Sequence, residues 1–124
     1  MRKILAQWLY PISSAPIENG LLVMENDTVL EVLAPDHIQY SIDDNTQHHE
    51  GILCPGFINA HCHLELSYLK RKIPIHTGLH DFIKQVEQQK PVAPEEIQAA
   101  ITLAAQEMAA NGIVAVGDIC NTNR

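Results

Sequence analysis

The sequence lacks several features that would assign it to common protein classes. No apolar run approaches the roughly 18 residues that a membrane-spanning helix needs. The cysteines, Cys54, Cys62 and Cys120, are odd in number and form no CxxC pair, so neither a disulfide framework nor a zinc ribbon is indicated. Lysine and arginine number 8 against 15 acidic residues, and an acidic surface repels phosphate backbones. We therefore expect no nucleic-acid partner, no membrane partner and, with reduced thiols, a cytoplasmic protein.

The first half of the chain is predicted to consist of strands. Hydrophobic residues make up 46% of the sequence, which is typical of a globular chain, and residues 3–12 form one apolar stretch that we interpret as a strand rather than a signal peptide. Residues 21–24 and 28–33 are predicted to form a hairpin, because the intervening Glu-Asn-Asp tolerates a tight turn. The second arm of that hairpin has the composition of a strand covered on both faces. Residues 35–50 are polar and irregular, which predicts a loop.

The second half alternates between strand and helix patterns. A strand is predicted to begin at Phe57, after Pro55-Gly56, because proline has no N–H to donate to a ladder. Apolar residues recur at helical spacing in residues 78–90 and again in residues 94–112, where Gly112 is expected to end the helix. Residues 113–120 then have the composition of a buried strand. The order strand, helix, helix, strand indicates a parallel βα repeat.

Two histidines at the end of the Phe57 strand are the strongest candidates for chemistry. In an extended backbone, side chains two residues apart lie on the same face, so His61 and His63 are placed to bind one metal ion. Cys62 would lie on the opposite face. With 7 histidines in the chain, a bare pair is more often a pair of ordinary surface or core residues, and the surrounding sequence must decide.

The segment PGFINAHCHLE (55–65) resembles the amidohydrolase superfamily motif P-G-[FL]-[IV]-[ND]-x-H-x-H. The following HLELSYLK is similar to the deaminase and chlorohydrolase branch, including aminodeoxyfutalosine deaminase-like proteins. This resemblance implies an α/β fold: the N-terminal part of a composite β-sandwich domain in residues 1–52, then the first one to two βα units of a (β/α)8 TIM-type barrel in residues 53–124. It covers the N-terminal portion of such an enzyme only.

The resemblance also implies a function and a set of site residues. It implies a metal-dependent hydrolase acting on non-peptide carbon–nitrogen bonds of a small molecule, of the purine or nucleoside type, through metal-activated water. His61 and His63 would bind a divalent metal, with zinc favoured over iron, and Glu65 would contact substrate. His80 is a second candidate substrate contact. The general-base aspartate is expected beyond Arg124.

Other histidines offer weaker alternatives. His76 and His80 have the i, i+4 spacing of a helical metal pair. However, Thr77 and Gly78 resemble a helix start, so we expect the two histidines not to share a helical face.

The remaining candidates have ordinary structural explanations. His48 and His49 fall in the predicted polar loop and are expected to be solvated. Asp118 ends the second predicted barrel strand, where it would either support the metal site or cap the strand. Cys62 and Cys120 are interpreted as small buried apolar residues.

The length of the chain limits what it is expected to do alone. A complete (β/α)8 barrel takes about 250 residues, so the chain is expected to be a fragment that binds metal weakly and turns over no substrate. Its unpaired last strand predicts self-association or a homodimer. The alternative is a non-catalytic interaction or assembly module with a vestigial His-x-His pair. A small metal-storage protein is a third interpretation, weakened by the presence of a single plausible pair.

Overall fold

Strands dominate the first half of the chain, and helices separate two strands in the second half. A computed structural model of the protein describes residues 1–76 and 78–120. It divides into two compact units, Met1–Pro55 and a second that begins at Gly56, and is of mixed α/β type. The elements are β1 (Arg2–Leu9), β2 (Ile17–Glu25), β3 (Thr28–Leu33), β4 (Gln47–Leu53), β5 (Phe57–Cys62), a 3₁₀ helix (Leu64–Leu69), α1 (Gly78–Glu87), α2 (Pro94–Ala110) and β6 (Ile113–Asp118).

The first unit is a four-stranded sheet in the order β3-β2-β1-β4. Strands β1, β2 and β3 form an antiparallel meander, whereas β4 pairs with β1 in parallel. The predicted hairpin turn between β2 and β3 is confirmed: Asn26 and Asp27 both have the positive φ that a tight hairpin turn requires. The core of this unit centres on Leu21, which has no exposed surface, together with Val23 and Leu33.

Two expectations for this unit were wrong. The stretch 35–50, which was expected to be a loop, contains the start of β4. This strand forms because the edge of β1 offers it backbone hydrogen-bond partners, and the polar composition of residues 47–50 gives no sign of that pairing. His48 and His49 therefore lie on a strand, although both are exposed as expected. β3 is not covered on both faces, since only Leu33 among its residues is buried.

The second unit contains the predicted parallel pair. β5 and β6 pair in parallel, and the 3₁₀ helix, α1 and α2 lie between them along the chain. The 3₁₀ helix, which sequence reasoning did not predict, packs against α2 and buries Leu69. Ion pairs from Lys70 to Glu107 and from Lys72 to Glu96 join the same two regions.

The helix ends follow the sequence signals closely. Pro94 occupies the first turn of α2, where its missing N–H costs no helical hydrogen bond. Gly112 follows the helix with φ +81°, so the predicted left-handed stop is confirmed. In the described part of the chain, no helix has the length and hydropathy of a membrane span.

The burial predicted for the last strand was wrong. β6 has the composition of a buried strand, yet Val114 is 73% exposed and Val116 is 40% exposed. An apolar, β-branched composition favours a buried position for a strand. Whether the strand is in fact buried depends on the elements that pack beside it. In the described residues, β6 has a single strand neighbour, β5.

Candidate metal centre

The candidate residues meet at the carboxyl ends of two parallel strands. β5 ends at Cys62 and β6 ends at Asp118, and these two residues are paired in the sheet register. Because the strands are parallel, residues just beyond both ends lie at the same edge. His61, His63 and Asp118 are therefore close together although 55 residues separate the last two in sequence.

The two imidazoles lie on the same side of the strand end, as the alternation of β side chains predicts. Their ring centroids are 5.3 Å apart, and their planes meet at 68°. An ion about 2 Å from one nitrogen of each ring, at a tetrahedral angle, would hold the centroids about 5 Å apart. The observed spacing thus fits two ligands of one ion.

The orientation of His63 is set by a backbone group of the neighbouring strand. Its Nδ1 lies 2.6 Å from the carbonyl oxygen of Ile119. A carbonyl only accepts hydrogen bonds, so Nδ1 must carry the proton and donate it. In the neutral ring, Nε2 is then left with a free lone pair, which is the form that binds metal. The chemistry of the residues present therefore suits a metal ion, and Nε2 of His63 would be the nitrogen that binds it.

Asp118 holds the backbone that follows His63. Its Oδ1 accepts the backbone N–H of Leu64 at 2.8 Å, and the same oxygen lies 3.7 Å from the Cys62 Sγ. Its Oδ2 accepts the Cys120 thiol at 3.1 Å. Leu64 opens the 3₁₀ helix, so Asp118 satisfies an N–H that has no partner within that helix.

These contacts shift the pKa values of the groups involved. The pKa of the Asp118 carboxyl lies below its usual value, chiefly because Leu64 N–H donates to it and then because the Cys120 thiol does. Partial burial raises the pKa of the Cys62 thiol, and the Asp118 charge adds to the effect. The hydrogen bond to Asp118 is the main reason that the pKa of Cys120 is also raised. Both cysteines therefore remain protonated thiol donors near neutral pH, and not thiolate nucleophiles.

Glu65 and His80, the two candidate substrate contacts, are placed differently. Glu65 lies in the first turn of the 3₁₀ helix and is half-buried, and its charge helps to raise the pKa of Cys120. Its carboxylate therefore acts on the same sheet edge as the histidine pair. His80 is exposed on α1.

A groove of about 630 Å³ lies between the 3₁₀ helix, the following loop and α1. Leu66, Leu69, Phe82 and His76 are among the residues that line it, whereas Glu65 and His80 are not among its described lining residues. His76 has φ 63° and precedes α1, so the expectation that His76 and His80 share no helical face is confirmed. Thr77, which was expected to begin the helix, lies outside the described residues.

Two polar groups that shape the centre are backbone atoms that sequence reasoning missed. The Ile119 carbonyl and the Leu64 N–H carry no residue-type signal, and only the pairing of β5 with β6 brings Ile119 to His63 and an Asp118 acceptor to Leu64. Across residues 1–76 and 78–120, no three His, Cys, Asp or Glu side chains are grouped as a metal site. The pair is thus an incomplete ligand set within these residues, since a catalytic zinc ordinarily has three protein ligands.

A model of the amidohydrolase family matches residues 52–124, which include β5, β6 and the histidine pair. The chain therefore belongs to the amidohydrolase family. It is 36% identical over 80 residues to a 5-methylthioadenosine/S-adenosylhomocysteine deaminase of Natronomonas pharaonis, a match that covers 61% of this chain and 18% of that protein.

Solved structures show the same fold. Aminofutalosine deaminase of Helicobacter pylori, crystallised with methylthio-coformycin, superposes on this chain with a TM-score of 0.73 at 23% identity. The match covers 98% of this chain and 30% of the Helicobacter pylori chain. An adenosine deaminase from Xanthomonas campestris with bound zinc superposes with a TM-score of 0.61 at 22% identity. This match covers 94% of this chain and 28% of the Xanthomonas campestris chain. The chain thus spans under a third of each of these relatives.

Proposed function

We propose that this chain supplies the first metal ligands of a metal-dependent amidohydrolase that deaminates a small molecule of the purine or nucleoside type. Family membership supports hydrolysis of a carbon–nitrogen bond, and the deaminase names of the relatives support release of ammonia. The relatives are longer than this chain, so the activity is proposed for a whole protein that contains it.

One observation carries the metal part of the proposal. The Nδ1–H of His63 donates to the Ile119 carbonyl, which leaves Nε2 available, and the His61 ring lies 5.3 Å away. We propose that His61 and His63 bind one divalent ion, with zinc favoured by the imidazole donors and by the zinc-bound relative. Iron is the second candidate. The ion would lower the pKa of a bound water towards about 7 and so provide hydroxide for attack on the substrate.

Other parts of the site are assigned by family likeness. Glu65 is proposed to contact the substrate because it follows the histidine pair and its charge acts at the same edge. His80 is proposed as a more distant contact. The general base is proposed to be an aspartate outside residues 1–124, so the isolated chain should lack turnover. We propose a cytoplasmic location.

The architecture is proposed to follow the family as well. Residues 1–52 would form part of a composite β-sandwich, and residues 53–124 would begin a (β/α)8 barrel. Support comes from the parallel β5–β6 pair and from the TM-score of 0.73 with the Helicobacter pylori enzyme.

Metal titration of the purified chain tests the proposal. Zinc affinity is measured by competition with a chromophoric chelator, and elemental analysis gives the stoichiometry. We expect the wild-type chain to bind one ion weakly, because two imidazoles fill only half of a tetrahedral shell. His61→Ala/His63→Ala should abolish this binding.

The matched control is His48→Ala/His49→Ala, which removes two exposed histidines from β4. This variant should bind zinc as the wild type does. Equal loss in both double variants, or none in either, would mean that His61 and His63 are not the ligands. Ammonia release from methylthioadenosine by residues 1–124 alone would contradict the need for further ligands and a base.

A further inference from the structure

Residues 62–64, at and just beyond the end of β5, are hydrogen-bonded to residues 118 and 119, at and just beyond the end of β6. The Cys62 carbonyl accepts the Ile119 N–H at 2.9 Å. The His63 Nδ1–H donates to the Ile119 carbonyl at 2.6 Å. The Leu64 N–H donates to the Asp118 carboxylate at 2.8 Å. Asp118 provides the one side-chain acceptor in this set, and its negative charge makes its bond the stronger type.

These bonds connect the His63 ring to Asp118 through two short stretches of backbone. The ring donates to a carbonyl that lies one residue beyond Asp118, so the position of that carbonyl depends on where β6 ends relative to residues 62–64. The Asp118 carboxylate holds the backbone N–H of Leu64, which follows His63. The Ile119 N–H binds the Cys62 carbonyl of β5, and the Ile119 carbonyl accepts the Nδ1–H of the His63 ring. Loss of the carboxylate would release Leu64 and allow His63 to turn away from the carbonyl.

The carboxylate is itself held in place by two thiols. Cys62 lies 3.7 Å from Oδ1, and Cys120 lies 3.1 Å from Oδ2. Each carboxylate oxygen of Asp118 therefore has a thiol partner, and these contacts restrict the orientation of the carboxylate that accepts the Leu64 N–H.

We propose that Asp118 is a positioning residue for the metal pair, because it holds the end of β6 against residues 62–64 so that the Ile119 carbonyl keeps Nε2 of His63 unprotonated and available. The inference rests on the proposed metal role of His61 and His63. A purely structural cap at the same position would support the strand end without controlling the ring tautomer.

Ring-nitrogen NMR of the metal-free, ¹⁵N-labelled chain provides the decisive measurement. At about pH 8 an ordinary imidazole is neutral, and the ¹⁵N shifts report which ring nitrogen carries the proton. The wild-type His63 should be in the Nδ1–H form. Asp118→Ala should populate a mixture of tautomers and weaken zinc binding about tenfold or more, as expected for loss of an outer partner of a ligand.

Asp118→Asn provides the conservative rescue, because its amide oxygen can still accept the Leu64 N–H. It should retain the wild-type tautomer and nearly the wild-type zinc affinity. The matched control is Asp43→Ala, which removes a carboxylate that accepts the backbone N–H of Asn45 in the first unit. That change should leave the His63 signals and zinc affinity unaltered.

Two results would overturn the inference. One is a folded Asp118→Ala chain in which His63 keeps the Nδ1–H form and binds zinc normally. The other is a folded Asp118→Leu chain, which has nearly the same side-chain size but no acceptor for the Leu64 N–H, that keeps the wild-type tautomer and zinc affinity; this second variant keeps the test decisive even if the alanine variant does not fold. Because the tautomer is measured without metal, the role of Asp118 is tested even if the wild-type chain binds no zinc, a result that would count against the proposed function instead.

Discussion

Gly117 of β6 lies close against the Ala60 backbone of β5, so replacing it tests how the spacing of these two strands affects the candidate metal centre. A Cβ at this position would lie 2.6 Å from the Ala60 carbonyl oxygen and 3.0 Å from its carbon. Ordinary carbon–oxygen contacts between strands are about 3.3 Å or longer, so β6 would have to move by about 0.7 Å. Both obstructing atoms belong to the backbone, and no side-chain rotation can relieve the clash.

Gly117→Ala should therefore affect both stability and metal binding. Overpacking of this kind typically lowers the free energy of unfolding by about 1–3 kcal/mol. A 0.7 Å shift would also lengthen the bonds from residues 62–64 to Asp118 and Ile119, now 2.6–2.9 Å, beyond the usual limit of about 3.2 Å. We expect zinc affinity to fall about tenfold, as for loss of a ligand's outer partner.

Urea unfolding and zinc competition on the same preparation measure the two effects. The control is Gly20→Ala, whose Cβ would lie 2.5 Å from the Leu9 Cβ in the first unit. That variant should lose stability and keep its zinc affinity. A folded Gly117→Ala chain with wild-type zinc affinity would refute the reasoning that strand spacing controls the site.

Three further predictions concern the core, acid stability and assembly. Leu21→Ala should lower the free energy of unfolding by about 2–5 kcal/mol in urea, because this side chain is wholly buried. Leu103→Ala, at a position 66% exposed, should change it by under about 0.5 kcal/mol. Hydrogen bonds from Lys3 and then from Asn45 hold the pKa of Asp43 below its usual value of 3.8. Asp43 therefore stabilises the fold above that pH and ceases to do so as the pH falls through the lowered pKa, so Asp43→Asn should flatten the acid limb of the stability curve. Finally, β6 is proposed to pair with a second copy of the chain, which should give oligomers that grow with concentration in light scattering.

Each of these predictions has a result that contradicts it. Equal losses at Leu21 and Leu103 would show that burial does not govern the core response. An unchanged acid limb in Asp43→Asn would mean that the Lys3 and Asn45 bonds do not persist in solution. A monomer that remains stable at high concentration would exclude pairing through β6.

Local chemistry in the sequence was sufficient for several features. The hairpin turn at Asn26 and Asp27 and the helix end at Gly112 depend on backbone conformations that few residue types adopt, so composition reveals them. The spacing of His61 and His63 was equally informative, because alternation along a strand is a property of the extended backbone alone.

Features that depend on partners were harder to predict. β4 forms because β1 leaves an edge unpaired, and nothing in Gln47 to Glu50 signals that pairing. The first N–H of the 3₁₀ helix, at Leu64, finds its acceptor in Asp118, more than 50 residues away in sequence. Strand composition likewise predicted burial for β6 but not whether neighbouring elements would provide it.

The sequence by itself determined which side chains are the candidates for chemistry in this protein: two imidazoles at strand spacing, within a motif that resembles the amidohydrolases. Tertiary structure alone decided how the His63 ring is oriented, because the Ile119 carbonyl accepts its Nδ1–H, and it also brought the Asp118 carboxylate to the adjacent Leu64 N–H. The physical reason is that residue type sets the donor atoms that a chain possesses, whereas the tautomer of His63 depends on a backbone acceptor that any residue could provide and that only the β5–β6 register brings within 2.6 Å.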